Sequence, residues 1–119
     1  GRVTDQQLRD LYRRSWVAVS TSVREGWGMT LTEAAACGTP SVATDIAGHA
    51  DAVAVGRSGL LHDRDPDLVD ALVRVLTDEE LRARLTEGAL ARAAELTWER
   101  TAVANFEVLA EDALRRRGR

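Results

Sequence analysis

Leu8, Leu11 and Tyr12 recur at helical spacing behind Thr4 and Asp5, which predicts a helix from Thr4 to about Arg14, capped by Thr4 and laid with one apolar face on the rest of the molecule. That period breaks at Trp16-Val-Ala-Val-Ser20, a short, apolar, β-rich run that predicts a strand buried on both faces. A loop with Arg24, Glu25, Gly26 and Gly28 follows. Met29 to Cys37 holds good helix formers and stops at Gly38, with Thr39-Pro40 beyond, so a second helix is expected there. Ser41 to Thr44 reads as a strand, Asp45 to Gly48 as a turn, His49 to Val55 as a short helix, and Gly59 to His62 as a third strand. The remainder is helical in pattern. Pro66 opens a helix over Asp65 to Leu76, Asp78 opens another to about Leu96, and Thr97 caps a last one from Trp98 to Arg117.

Strand, helix, strand, short helix, strand and then helices is the order of a doubly wound α/β sheet. Three strands are fewer than the five or six that such sheets contain on average, and the pattern opens on a helix with no strand before it. The expectation is therefore α/β: the C-terminal portion of a Rossmann-like parallel-sheet domain, about three strands plus flanking helices. Residues 1–119 would form a single partial domain.

Composition narrows the function. In the 119 residues, 45% apolar against 29% charged side chains describe a folded globular chain. No apolar stretch reaches the roughly 18–20 residues that span a bilayer, and nothing resembles a signal peptide, so no transmembrane segment is expected. The single cysteine, Cys37, rules out an internal disulfide and a multi-cysteine metal site, and suits a reducing, cytoplasmic setting. A net charge of −3 argues against a nucleic-acid partner, which selects for a basic stripe. The one basic cluster, Arg115, Arg116, Arg117 and Arg119, ends a helical pattern where cations favour the helix dipole. All sixteen basic residues are arginine, which suggests GC-rich codon usage and nothing about function.

The chemistry concentrates in Val23-Arg-Glu-Gly-Trp-Gly-Met-Thr-Leu-Thr-Glu33. A strand ends near Ser20, two glycines let the backbone approach a ligand closely, and a helix begins near Met29. First-turn amides and the positive end of the helix dipole then face the crevice beyond the strand, which is an anion site. Glu25 in the loop and Glu33 one turn into the helix frame it. Carboxylates repel phosphate and accept hydroxyl protons well. A ligand with a central diphosphate and hydroxyl-rich ends, a nucleoside diphosphate sugar, satisfies amides and carboxylates together.

Two glutamates with seven residues between them around Gly-Trp-Gly, then Glu33-Ala-Ala-Ala-Cys-Gly-Thr-Pro40, Asp45, Gly48 and Gly59-Leu-Leu61, resemble the C-terminal nucleotide-binding domain of family 4 (group 1) retaining glycosyltransferases of the GT-B fold. The likeness runs over essentially the whole chain, including Leu72 to Leu85 and Trp98-Glu-Arg100. It implies transfer of a hexose from a UDP- or GDP-type donor to an unknown acceptor, with no cofactor and no essential metal. Glu25 would act catalytically and bind donor-sugar hydroxyls. Gly26 would belong to the donor loop, amides from Gly28 through Met29 to Thr30 would hold the diphosphate, and Glu33 would hold the ribose diol. Thr21-Ser22 replaces the family's Pro-Ser, and Gly48-His-Ala-Asp51 lacks the proline of its Gly-x-Pro-Glu. The acceptor domain and the family's cationic diphosphate clamp lie outside this sequence, so the chain by itself is expected to be inactive. Its parent would be cytoplasmic, with a membrane-peripheral placement left open.

Other readings stand beside this one. Gly26, Gly28 and Asp45 could serve an NAD-type dinucleotide-binding half-domain, but Leu31 holds the third glycine position. The chain could also be a non-catalytic nucleotide-sugar-binding or interaction module. Trp27 reads as a packing residue rather than a sugar platform, Cys37 as an inert apolar residue, His62 as structural, and His49 equally as a donor contact or a turn cap. An unpaired edge at Trp16 to Ser20 and an apolar stripe through Trp98, Val103, Phe106 and Leu109 predict self-association.

Overall fold

The computed structural model describes residues 1–63 and 65–117. Nine elements follow one another: α1 (Asp5–Arg14), β1 (Ala18–Ser20), α2 (Met29–Ala36), β2 (Ser41–Thr44), α3 (Ala47–Ala52), β3 (Gly59–His62), α4 (Asp65–Thr77), α5 (Glu79–Glu95) and α6 (Trp98–Arg117). The strands form one parallel sheet in the order β1-β2-β3, with Val19 opposite Val42 and Val42 opposite Leu60. The fold class is the expected one.

The pleat divides the core. Val42 faces Leu68, Ala71, Val75, Leu81 and Leu85 of α4 and α5, with Leu60 beside it; Ala43 and Leu61 face Leu31 of α2, with Ala52 and Val53. A middle strand covered on both sides must be apolar throughout, which β2 is apart from its ends. Two glycines let layers approach. A Cβ on Gly59 would strike Ser41 O across the sheet, and one on Gly88 would strike Arg57 O beneath α5.

Local chemistry sets the ends. Thr4 and Gln7 form a reciprocal capping box on α1, Asp78 accepts from Leu81 N at 2.8 Å, and Gly38 turns the chain after α2 with φ 81°. Arg82 donates to Val75 O and Leu76 O at the end of α4 while its guanidinium lies 4.4 Å from the Trp16 ring centroid.

Three expectations change. Strand β1 begins at Ala18, not Trp16, and is not buried on both faces: Trp16 is 59% and Val19 47% exposed, because β1 is the expected edge and only β2 pairs with it. Residues Ala47 and Gly48, read as a turn, are already helical, because Ile46 is an extended N-cap whose carbonyl takes His49 N and Ala50 N. The same helix stops at Ala52, and Val55 instead bridges to Gly59. Helix α6 carries no buried residue, and the anticipated stripe of Trp98, Val103, Phe106 and Leu109 stands exposed as expected. Its basic end is paired with its own acids, Arg115 with Glu111 and Arg116 with Asp112, while Arg119 lies outside the described residues. Among the described residues, no helix is long and apolar enough to cross a membrane.

Candidate functional site

The ends of β1 and β2, the loop 21–28 and the N-terminus of α2 meet at the C-terminal edge of the sheet, where open α/β sheets bind ligands. The loop is seated on α3. Gly28 N donates to Gly48 O at 3.1 Å, and a Cβ on Gly48 would lie 2.5 Å from Glu25 O. Gly28 is itself buried, and a Cβ there would meet His49 Cδ2 at 3.2 Å and Leu31 Cδ1 at 3.3 Å. Its glycine thus serves packing of the loop floor. Gly26, by contrast, is exposed, with open space where a Cβ would be.

The amides differ from the expectation of an open row from Gly28 to Thr30. Gly28 N is engaged by Gly48 O. Met29 N donates to Trp27 O at 2.8 Å, and Gly28 at φ −73°, ψ 66° makes this an inverse γ-turn. Thr30 N alone has no partner among the described residues. No side chain caps α2, so the dipole end and this amide face the crevice.

Both carboxylates are exposed and each is held by a single oxygen. Ser22 Oγ donates to Glu25 Oε1 at 2.9 Å, and Tyr12 Oη donates to Glu33 Oε2 at 3.1 Å. Burial, then the hydrogen bond to Glu33 and its charge, raise the Tyr12 phenol above its ordinary 10.0. Tyr12 is a site neighbour that the sequence reading took only as part of an apolar stripe. Thr39 Oγ1 donates to Tyr12 O at 2.6 Å and ties that end of α1 down.

His49 neither reaches the crevice nor caps a turn; it is a buried floor, 1% exposed, with Nδ1 2.8 Å from Thr44 O and Nε2 3.2 Å from Ser20 Oγ. Its helix is fixed from behind by Arg92, which donates to Asp51 O at 2.6 Å and pairs with Glu95. Arg92 and then Arg57 hold the Glu95 carboxyl below its usual range. Trp27 is 38% exposed within the loop, and Cys37 caps α2 half-buried. Asp45 and His62, at the ends of β2 and β3, line a separate hollow of about 400 Å³ with Leu61, Asp63 and Asp67; its acidity would repel a diphosphate. No group of three or more His, Cys, Asp or Glu among the described residues is placed to hold a metal.

The family model for glycosyl transferases group 1 matches residues 1–92. The chain belongs to that family. It is 44% identical over 99 residues to a D-inositol 3-phosphate glycosyltransferase of Stackebrandtia nassauensis, covering 81% of this chain and 22% of that protein. The enzyme of the same name from Corynebacterium jeikeium is 39% identical over 108 residues, covering 89% and 26%. Sucrose-phosphate synthase from Thermosynechococcus elongatus superposes with a TM-score of 0.77 at 28% identity, over 93% of this chain and 29% of that one. The S. aureus TarM G117R mutant, solved with fondaparinux, alpha-GlcNAc-glycerol and UDP, shares the fold with a TM-score of 0.75 at 24% identity, over 87% and 22%. The chain spans about a quarter of the length of these curated relatives. As a GT-B group 1 chain, it places its loop 21–28 and the start of α2 at the carboxyl edge of the sheet, and the dinucleotide reading through Gly26, Gly28 and Asp45 has no support in these likenesses.

Proposed function

We propose that residues 1–119 are the donor-binding part of a retaining family 4 glycosyltransferase that transfers a hexose from a UDP- or GDP-type nucleotide sugar. One observation carries the reading: the uncapped start of α2, with Thr30 N free among the described residues, is bracketed along the chain by two exposed carboxylates, each engaged through one oxygen. In this reading Glu25 takes donor-sugar hydroxyls and stabilises the reacting sugar, and Glu33 takes the ribose diol. The Thr30 amide and the α2 dipole stabilise charge on the leaving diphosphate, which itself helps deprotonate the acceptor hydroxyl on the same face of the sugar. Gly26 leaves room for the donor, while Gly28 and Met29 contribute as the γ-turn that presents Thr30. No metal is required.

The relatives' name makes a phosphorylated cyclitol the first acceptor to test. Residues 1–119 taken by themselves are expected to bind nucleotide sugar without turnover, and the exposed edge of β1 and the apolar face of α6 to pair two copies of them. The setting is cytoplasmic, in keeping with one thiol, Cys37. Calorimetry with UDP, GDP and their hexose forms tests the site. Glu33→Ala is expected to weaken nucleotide binding by about 1.5–3 kcal/mol through loss of a charge-assisted contact, and Glu25→Gln to remove the extra affinity conferred by the sugar. Unchanged binding in both variants would refute the assignment.

A further inference from the structure

His49 is almost fully buried, carries two polar nitrogens, and packs beneath Gly28 of the donor loop without reaching the crevice. Its partners define its protons. Thr44 O can only accept, so Nδ1, 2.8 Å away, carries the hydrogen, and the Thr44 hydroxyl oxygen at 3.3 Å shares it. Nε2 then offers a lone pair, which receives the Ser20 hydroxyl at 3.2 Å. With its oxygen turned toward His49, the Thr44 hydroxyl donates onward to Ser22 O at 2.6 Å. Ser22 Oγ in turn donates to Glu25 Oε1 at 2.9 Å, and Ser20 Oγ lies 3.4 Å from that same hydroxyl.

The ends of two neighbouring strands are thus tied through one imidazole, and the Thr44 arm continues to residue 22. Ser22 is held at its carbonyl by Thr44 and gives its one proton to Glu25, while Ser20, whose proton is on His49, only packs against the Ser22 hydroxyl. Glu25 is otherwise an exposed loop carboxylate with free rotamers, and holding it in one orientation before the ligand arrives removes an ordering cost from binding. We propose that Ser22 is the positioning residue for Glu25, and that buried His49 fixes Ser22 through Thr44. The proposal rests on the donor-site reading of Glu25 and deepens it.

The test compares UDP with UDP-glucose, and GDP with GDP-mannose, by calorimetry on the 119-residue chain; the ratio of affinities within each pair isolates the sugar contact. Ser22→Ala is expected to lower that ratio about two- to tenfold, the range of one ordinary intramolecular hydrogen bond, with nucleoside diphosphate affinity unchanged. Ser22→Thr, which keeps the hydroxyl, restores it. If Glu25→Gln lowers the ratio and Ser22→Ala does not, the positioning role is overturned while the donor site stands. If neither Glu25→Gln nor Ser22→Ala changes it, the donor reading of Glu25 falls and the proposal with it. A measurement without ligand tests the hub: the nitrogen resonances of His49 are expected to show the neutral ring protonated at Nδ1, and a ring protonated at Nε2 would overturn the arrangement.

Discussion

Gly48→Ala sets two effects of known sign against each other at the contact that seats the donor loop. Gly48 lies in the first turn of α3 and is not among the positive-φ glycines, which are Gly38 and Gly56, so alanine is conformationally acceptable there. Helix propensity alone would favour alanine by up to about 1 kcal/mol. Sterics oppose it: the new Cβ would stand 2.5 Å from Glu25 O, 2.9 Å from its carbonyl carbon and 3.0 Å from its Cβ. Those neighbours are backbone, not the end of a flexible side chain. The Glu25 peptide must therefore withdraw by roughly 1 Å, against the Gly28–Gly48 hydrogen bond, and overpacking of this kind costs about 1–3 kcal/mol. The steric cost wins, giving a net loss of about 1–2 kcal/mol and a fall in Tm of about 4–8 °C for a domain of this size. The effect at the site is larger. A displacement of about 1 Å at Glu25 is expected to reduce the sugar-dependent part of donor affinity about tenfold or more. Thermal unfolding followed by circular dichroism reads the first effect, and calorimetry with paired nucleotide and nucleotide sugar reads the second. A variant that melts at or above the parent temperature and keeps its sugar-dependent affinity would show that the loop 21–28 does not rest on α3.

Tyr12 is the only tyrosine, so tyrosinate absorbance reports it alone. Its phenol is expected to titrate above 10.0, with Glu33→Gln moving it down; titration at the ordinary value in the parent would refute the contact. Because the folded-state pKa is raised, stability from this group is complete below the unfolded value near 10.0 and is lost as pH climbs through the higher folded value. Leu85→Ala, in a fully buried core position, is expected to cost about 2–5 kcal/mol in denaturant unfolding. Leu109→Ala, 69% exposed on α6, is expected to stay within about 0.5 kcal/mol in dilute solution, and a core-sized loss there would mean that α6 is covered. Sedimentation equilibrium is expected to show concentration-dependent association of the chain, weakened by Phe106→Glu on α6; a monomer at all concentrations would refute pairing through these surfaces.

Strands β2 and β3 stand where the sequence pattern puts them, because each is bracketed by residues that can do little else. Gly38-Thr39-Pro40 ends one helix and leads into β2, and Gly59 is forced by its approach to Ser41 O. Trp16 looked like core for a sound reason, since an apolar β-rich run is usually covered on both sides. Its cover here is the Arg82 guanidinium, a contact from 66 residues along the chain that no local pattern encodes. The start of α3 was lost for a related reason: Asp-Ile-Ala-Gly carries turn chemistry, and only the extended backbone of Ile46 makes it a helix entry.

At the site, sequence shows which groups are present but not which are already occupied. Gly28, Met29 and Thr30 look alike as first-turn amides, yet Gly28 N is engaged by α3 and Met29 N within the loop, and only Thr30 N is free among the described residues. Glu25 and Glu33 were visible as a spaced pair of carboxylates, whereas the hydroxyls that orient them, Ser22 and Tyr12, come one from the same loop and one from α1. His49 makes the physical point most sharply. In sequence it is a polar residue at a turn, fit for ligand or cap. In the fold its two nitrogens meet a carbonyl and a hydroxyl from adjacent strand ends, so it is satisfied where it lies and has no hydrogen-bonding capacity left for a ligand. A buried polar group whose partners are all internal shapes the groups above it, and those groups are the ones to mutate when binding is the question.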